Sequence, residues 1–227
     1  GFSCGGETET NQNGGTYVSW NWKANGTGVA NTDGSITSTV SVNTTSGFSI
    51  AKYTGTGANT SFGHGLGSTP NVYIIKRLTG AAGTWLTYHS ALGIGYHFGL
   101  NNTSSKNAND ASFANNTAPD ASKIYLGNWG DLNASGSDFI CYSFAEKQGY
   151  SKFGSYTGNG NADGAFIYTG FKPAWVIAKT IDAVDDWQIL DNKRNGFNPD
   201  NFQLVANSSN AEQTSGNRAD FLSNGFK

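Results

Sequence analysis

Four glutamates, three histidines and two cysteines carry the most direct catalytic chemistry in this chain. Glycoside hydrolysis needs two carboxyl groups about 5 to 10 Å apart, one to give a proton and one to act as base or nucleophile. The strand pattern Glu-x-Asp-x-x-Glu would place such groups on one face, and Glu7, Glu9, Glu146 and Glu212 fall in no such pattern. His64, His89 and His97 lack a Ser or Cys in a nucleophile-elbow setting, so structural or surface histidines are expected. Asp182, Asp185 and Asp186 precede Trp187 at a spacing that matches no calcium loop, which predicts a solvated acidic turn. Cys4 and Cys141 have neither a CxxC spacing nor a nearby His for zinc, and two separate thiols are expected rather than a disulfide. These residues predict no catalytic site, no metal and no cofactor.

Sugar recognition is the chemistry the composition supplies best. Aromatic faces stack on sugar C–H surfaces, while planar amides and carboxylates bond to hydroxyls. Six Trp, ten Tyr and many Asn provide these groups. Trp129, in the loop Gly127-Asn128-Trp129-Gly130, is the strongest candidate for an exposed aromatic. Trp85, with Tyr88 and His89 beside it, and Trp187, with Asp191 beside it, complete the candidate carbohydrate-binding set. A core role competes for Trp85 and Trp187, because β proteins routinely bury Trp; Trp20, Trp22 and Trp175 are expected in the core.

These candidates sit on a repeat. Tyr53-Thr54-Gly55-Thr56-Gly57 recurs as Tyr156-Thr157-Gly158-Asn159-Gly160, and Pro70 and Lys76 recur as Pro173 and Lys179, all at an offset of 103 residues. A fixed period marks one structural unit used twice. Trp85 then aligns with Trp187, His89 with Asp191, and Phe98-Gly99-Leu100 with Phe202-Gln203-Leu204. The first copy continues through Asp138–Glu146, which has no counterpart downstream. Its counterpart is upstream, at Thr16–Ala24, and Gly1-Phe2 shares that phase with Lys123-Ile124. The chain therefore divides into 1–24, closing strands of a repeat; 25–47, a connector with one hairpin; 48–147, a complete copy; and 148–227, a second copy without its closing strand. Either the chain is a piece of a longer array, or residues 1–24 complete the second copy by circular closure. Closure is the preferred expectation, because an open sheet edge leaves backbone groups unpaired.

Short runs of Val, Ile, Tyr, Phe, Trp and Thr alternate with Gly, Asn, Asp and Ser turns, which is the signature of an all-β chain. Tyr17–Trp22 alternates as a half-buried strand should, Phe139–Phe144 likewise. Val72–Ile75 and Trp175–Ala178 are continuously apolar, as in central strands. Pro119 and the Asn pair at 115–116 favour loop over helix in Ala108–Ala121. Two-sheet sandwiches of about 100 residues each are the natural architecture, here tandem jelly rolls.

Charged residues make up 13% of the chain, about half the usual share, so solubility rests on amides and hydroxyls. The net charge of −2 includes no basic cluster, and a nucleic-acid footprint is missing. No apolar run approaches the ~20 residues of a membrane helix. Neither nucleic acid nor membrane insertion is expected.

Several longer strings resemble a repeat family of tailed-bacteriophage virion proteins, common in phages of marine bacteria and cyanobacteria. They are Tyr17–Ala24, Asn31–Ser38, Gly47–Ile50, Tyr53–Gly57, Gly63–Gly67, Tyr88–Gly93 and Gly149–Gly158, in the same order and over essentially the whole chain. The resemblance implies concanavalin-A-like sandwich domains in a tail-fibre-like structural protein on the virion surface. It further implies homo-oligomers such as trimers, contacts with other virion proteins and attachment to a host-surface glycan. In that family the second copy continues past Gly225-Phe226-Lys227 to a closing strand, which supports the longer-array alternative. The alternative function is a passive spacer or decoration domain. The resemblance carries over no functional residues.

Overall fold

The computed structural model describes residues 2–108 and 110–227; Gly1 of the Gly1-Phe2 pair, and Asn109 within Ala108–Ala121, lie outside it. The chain is mostly β. Its elements are α1 (Thr8–Asn11), β1 (Val29–Asn31), β2 (Ser38–Asn43), β3 (Phe48–Thr54), β4 (Thr60–Gly63), β5 (Val72–Arg77), β6 (Leu86–His89), β7 (Tyr96–Gly99), β8 (Asn107–Ala108), α2 (Asp110–Ala114), β9 (Lys123–Leu126), α3 (Gly130–Asn133) and β10 (Asp138–Phe144). The second copy follows with β11 (Ile167–Tyr168), β12 (Trp175–Ala178), β13 (Gln188–Asp191), β14 (Gln203–Val205), β15 (Phe221–Leu222) and β16 (Gly225–Phe226).

The first body is an antiparallel sheet in the order β1-β2-β3-β10-β5-β6-β7-β8. The hairpin expected within 25–47 is β1–β2, and it joins this sheet through β2–β3. Period-2 alternation sends one set of side chains inward: Val40, Ala51, Tyr53, Phe139, Cys141, Tyr73, Ile75, Leu86 and Tyr88 are all buried. Over that face lie the β4–β9 pair with α2 and α3, which add Phe62, Ile124, Leu126, Phe113 and Leu132 to the same core. Offset stacking organises it, with Tyr53 on Phe62 at 4.3 Å and Tyr73 on Tyr88 at 4.7 Å between ring centroids. β10 is the keystone, paired along Asp138–Phe144 with β3 and along Phe139–Phe144 with β5.

Offset-matched elements of the second copy pair in the same way. β12-β13-β14 corresponds to β5-β6-β7, and β11–β16 to β4–β9. Trp175 faces Asp191 just as Val72 faces His89. The second body's own core is small, however, with Leu190, Ala219 and Phe221 buried against Val176 and Phe226. A fully buried large apolar side chain is worth about 1.5–3 kcal/mol, so so small a set leaves the second body dependent on the first. It leans there through Trp187, which is buried, packs edge-on against Phe98 at 5.3 Å and donates its indole N–H to the Gly99 carbonyl at 2.9 Å.

Four details differ from the sequence reading. Tyr17–Trp22 makes no ladder, because nothing among the described residues pairs with its backbone. β12 is consequently an edge strand rather than a central one, and Trp20, Trp22 and Trp175 are half-buried or exposed instead of core. Residues 110–114 are helical: Asn115 and Asn116, at φ 50° and 51°, are the left-handed stop of α2, a conformation Asn tolerates better than most residues. Finally, Phe98-Gly99-Leu100 corresponds to Leu204-Val205-Ala206. The proof is a shared clamp: Trp85 N–H donates to Asn101 Oδ1 and its carbonyl accepts from Leu100, as Trp187 does with Asn207 and Ala206. A longer β13–β14 connection carries the difference. Cys4 is exposed and Cys141 buried, and both are free thiols.

Candidate functional site

The candidate positions divide by whether both copies share them. Trp85 and Trp187 are the backbone clamps just described, and Lys76 Nζ lies 5.7 Å from the Trp85 ring centre. Tyr88 is buried on Tyr73. His89 Nδ1 accepts the Ala91 N–H at 3.1 Å, and Asp191 Oδ1 accepts the Lys193 N–H at 2.9 Å, so two different residues cap the same turn. Asp191, 2% exposed, also pairs with Arg194 at 2.7 Å and accepts from the Trp20 indole at 3.3 Å. Tyr88, Trp187 and Asp191 are buried in framework contacts of this kind.

Trp129 is the exception. It is half-buried at the N-terminus of α3, packed against the main core, and edge-on to His97 at 5.0 Å. It lines an open cleft of about 360 Å³ with Thr84, His97, Asn102, Ser104, Asn107 and the exposed Ala108, together with the buried Leu86 and Gly99. Asn102 and Asn107 were not singled out by the sequence, and His97 reads there only as a structural or surface histidine. The signal was present in the amide- and hydroxyl-rich run Asn101–Asn107, which reads as an ordinary loop until β7 and α3 are placed beside it.

Local structure fixes each wall. The Trp129 loop is tied to α2 by Gly127 N–H to Phe113 O (3.0 Å) and Trp129 N–H to Ser112 O (3.1 Å). From beneath, the fully buried Asn133 donates to Ala58 O and Gly127 O and accepts the Thr56 N–H at 2.8 Å. Tyr53 donates its hydroxyl to Leu132 O at 2.6 Å, so the Tyr-Thr-Gly-x-Gly string ties α3 to the sheet. In the second copy Tyr156 is exposed and makes no such tie. The rim is held by the second body: Lys106 N–H bonds Ile181 O, Asp185 N–H bonds Thr103 O, and Lys106 pairs with Asp182 at 2.9 Å. The acidic turn at 182–186 therefore braces the cleft's rim.

Sequence comparison assigns residues 1–227 to a family described as a domain of unknown function, DUF7483. The chain belongs to that family. No curated protein and no solved structure matches it.

Electrostatically the DUF7483 cleft is neutral. Burial lowers the pKa of His97 to about 4 from an ordinary 6.5, and its Nδ1 is buried without a hydrogen-bond partner. At neutral pH the ring is an uncharged imidazole, able to accept or donate one hydrogen bond. Burial lowers His64 and His89 as well. His64 is locked by the Leu66 N–H at Nδ1 and the Asp120 carbonyl at Nε2, so its role is structural. No helix among the described residues is long and apolar enough to cross a membrane.

The His97 shift predicts a pH dependence. Between pH 6.5 and 4 the unfolded chain binds a proton at this residue and the folded chain does not, so stability rises with pH across that window and falls on acidification. His97→Leu should flatten this slope in thermal melts recorded from pH 7 to pH 4. An unchanged slope would show that His97 does not carry the dependence, leaving it to His64, His89 and the carboxylates held low by their partners.

Proposed function

We propose that this protein binds host-surface glycan in the Trp129 cleft, as part of a phage virion fibre or surface protein built from jelly-roll, concanavalin-A-like sandwich repeats. The observation that carries the reading is the lining itself. Pockets for small molecules are usually mostly apolar with a few polar anchors. This one reverses the ratio, placing two amides, two hydroxyls and a neutral imidazole beside one indole. Amides and hydroxyls both donate and accept, which suits the vicinal hydroxyls of a sugar, and the indole supplies a surface for its C–H face. The absence of a paired-carboxylate pattern in the sequence fits binding without hydrolysis. Weak sites of this kind gain avidity when several copies are held in one oligomer, as the virion-surface setting implied by the sequence resemblance would provide.

The test is a glycan array probed with the 227-residue chain, Trp129→Ala and Trp85→Ala. Binding lost in the first variant and kept in the second supports the reading, since Trp85 serves the framework outside the cleft. Silence of the unmodified chain, even when multimerised, would favour the second reading, a passive spacer. That alternative has its own observation: Tyr150, Tyr156, Phe166 and Tyr168 are all exposed in the second body, as contacts between copies would require.

A further inference from the structure

In the first body the inner edge of β5 is occupied by β10. In the second body the matching edge of β12 carries no strand among the described residues, and its four residues are all half-buried rather than covered. The Trp175 indole N–H is buried there without a partner. Residues 151–157, the counterpart of β3, are likewise without a ladder apart from an isolated bridge at Ser151. The second body is thus missing one strand, between two segments that its repeat partner joins through β10.

The chain contains a segment of that type. Tyr17–Trp22 is the counterpart of Phe139–Phe144 in the sequence, and its burial alternates over residues 17–21, with Val18 and Trp20 half-buried and Tyr17, Ser19 and Asn21 exposed, before the exposed Trp22. It also lies at the right place. Trp22 is edge-on to Trp175 at 5.3 Å, Trp20 is 6.5 Å from the same ring, and Trp22 reaches Phe144, which in turn approaches Phe153 at 6.4 Å. Phe144 faces Val72 in the β10–β5 register, and Trp22 and Trp175 are the equivalents of those two residues. The aromatic contact therefore already marks the register, while the backbone ladder is not engaged.

We propose that Tyr17–Trp22 is the closing strand of the second body, docking antiparallel between β12 and residues 151–157 of the same chain. The β10 register places Trp22 opposite Trp175, Trp20 opposite Ile177 and Ser19 opposite Ala178. Docking pairs the free edge of β12, which would otherwise template association with other chains. The energetic logic is that of strand addition, in which main-chain hydrogen bonds supply affinity and alternate side chains supply register. Here Trp20 and Trp22 supply the register. This inference rests on the repeat and is independent of the glycan reading.

Paired cysteines test it in the 227-residue chain carrying Cys4→Ser. Directly opposed residues of an antiparallel pair have Cα atoms about 4.5–5.5 Å apart, within disulfide reach. A two-residue slip adds about 6–7 Å along the strand and abolishes it. Ser19→Cys with Ala178→Cys should close within one chain several-fold more readily than Tyr17→Cys with Ala178→Cys, read by non-reducing gel and peptide mapping. Equal closure of both pairs, or closure of neither, overturns the docking. Disulfide-linked dimers at the matched pair overturn the same-chain assignment and show a second copy supplying the strand. In the cysteine-unmodified protein, amide exchange at Trp175–Ala178 provides a separate reading: protection at alternate amides on the free edge is expected, and rapid exchange there overturns the proposal.

Discussion

Asn133→Ala is expected to cost about 2–4 kcal/mol, enough to lower the melting temperature by roughly 10 °C. Asn133 has no solvent exposure. Its amide gives both protons to carbonyls, at Ala58 (2.7 Å) and Gly127 (2.8 Å), and takes one from Thr56 N–H (2.8 Å). Truncation strands the buried Gly127 carbonyl and takes the acceptor from Thr56 N–H, while the exposed Ala58 carbonyl keeps the Thr56 hydroxyl at 2.9 Å. A buried group left unmatched costs about 1–3 kcal/mol, which applies in full to Gly127 O, and the two lost bonds at the exposed Thr56 and Ala58 add about 0.5–1.5 kcal/mol each. Asn133→Asp separates this account from simple loss of packing. The carboxylate keeps the acceptor for Thr56 but turns an oxygen toward two carbonyl oxygens, so it should destabilise at least as much as alanine despite its matching shape. Chemical denaturation of both variants checks the order. An aspartate variant near wild-type stability would mean that shape, rather than hydrogen bonding, is what the site requires.

That residue also shows where sequence reasoning succeeds and stops. The repeat was visible because paired strands constrain residue type at fixed spacing: the Pro, the apolar run and the Lys recur where β5 and β12 each pair antiparallel with the strand that follows, in matching register. The all-β class followed from alternation and turn residues. The cleft was not visible, because its walls come from segments far apart in sequence, Thr84, His97–Asn107 and Trp129, joined only through buried polar ties such as Asn133. A lone Asn in a Gly- and Asn-rich chain gives no sign of its burial. The candidate set failed to distinguish function from framework for a related reason. Trp85 and Trp187 stand at the same main-chain clamp in the two copies, so their recurrence marks a shared position in the architecture rather than a shared ligand. Trp129 lies in the part of the copy that recurs least, and it alone of the six lines the cleft. The Tyr17–Trp22 alternation was legible as a strand, but alternation states a preference for a pleated surface and cannot show whether a partner edge is engaged.

Two alanines three residues apart should have opposite consequences for the cleft. At Gly127 a Cβ would fall on the carbonyl oxygens of Ala111 and Ser112, which are backbone atoms of α2 and its neighbourhood and cannot swing aside. At Gly130 the same methyl meets nothing within 4 Å. Gly127 has no left-handed backbone requirement, so the conflict is one of space alone. Relief requires the Trp129 loop and α2 to separate, which breaks Gly127 N–H to Phe113 O and Trp129 N–H to Ser112 O and draws Gly127 O away from Asn133. A shift of this size forfeits several hydrogen bonds and the packing of Phe113, a cost of about 3 kcal/mol or more. Gly127→Ala is therefore expected to destabilise the first body strongly, to move Trp129 relative to His97 and to abolish glycan binding. Gly130→Ala lies at the first position of α3, where alanine is the better helix former by up to about 1 kcal/mol, and should keep stability and binding intact. Thermal melts and the glycan array, run on the two variants together, check both halves. Equal behaviour of the pair would show that the contact between the Trp129 loop and α2 does not hold the cleft in shape.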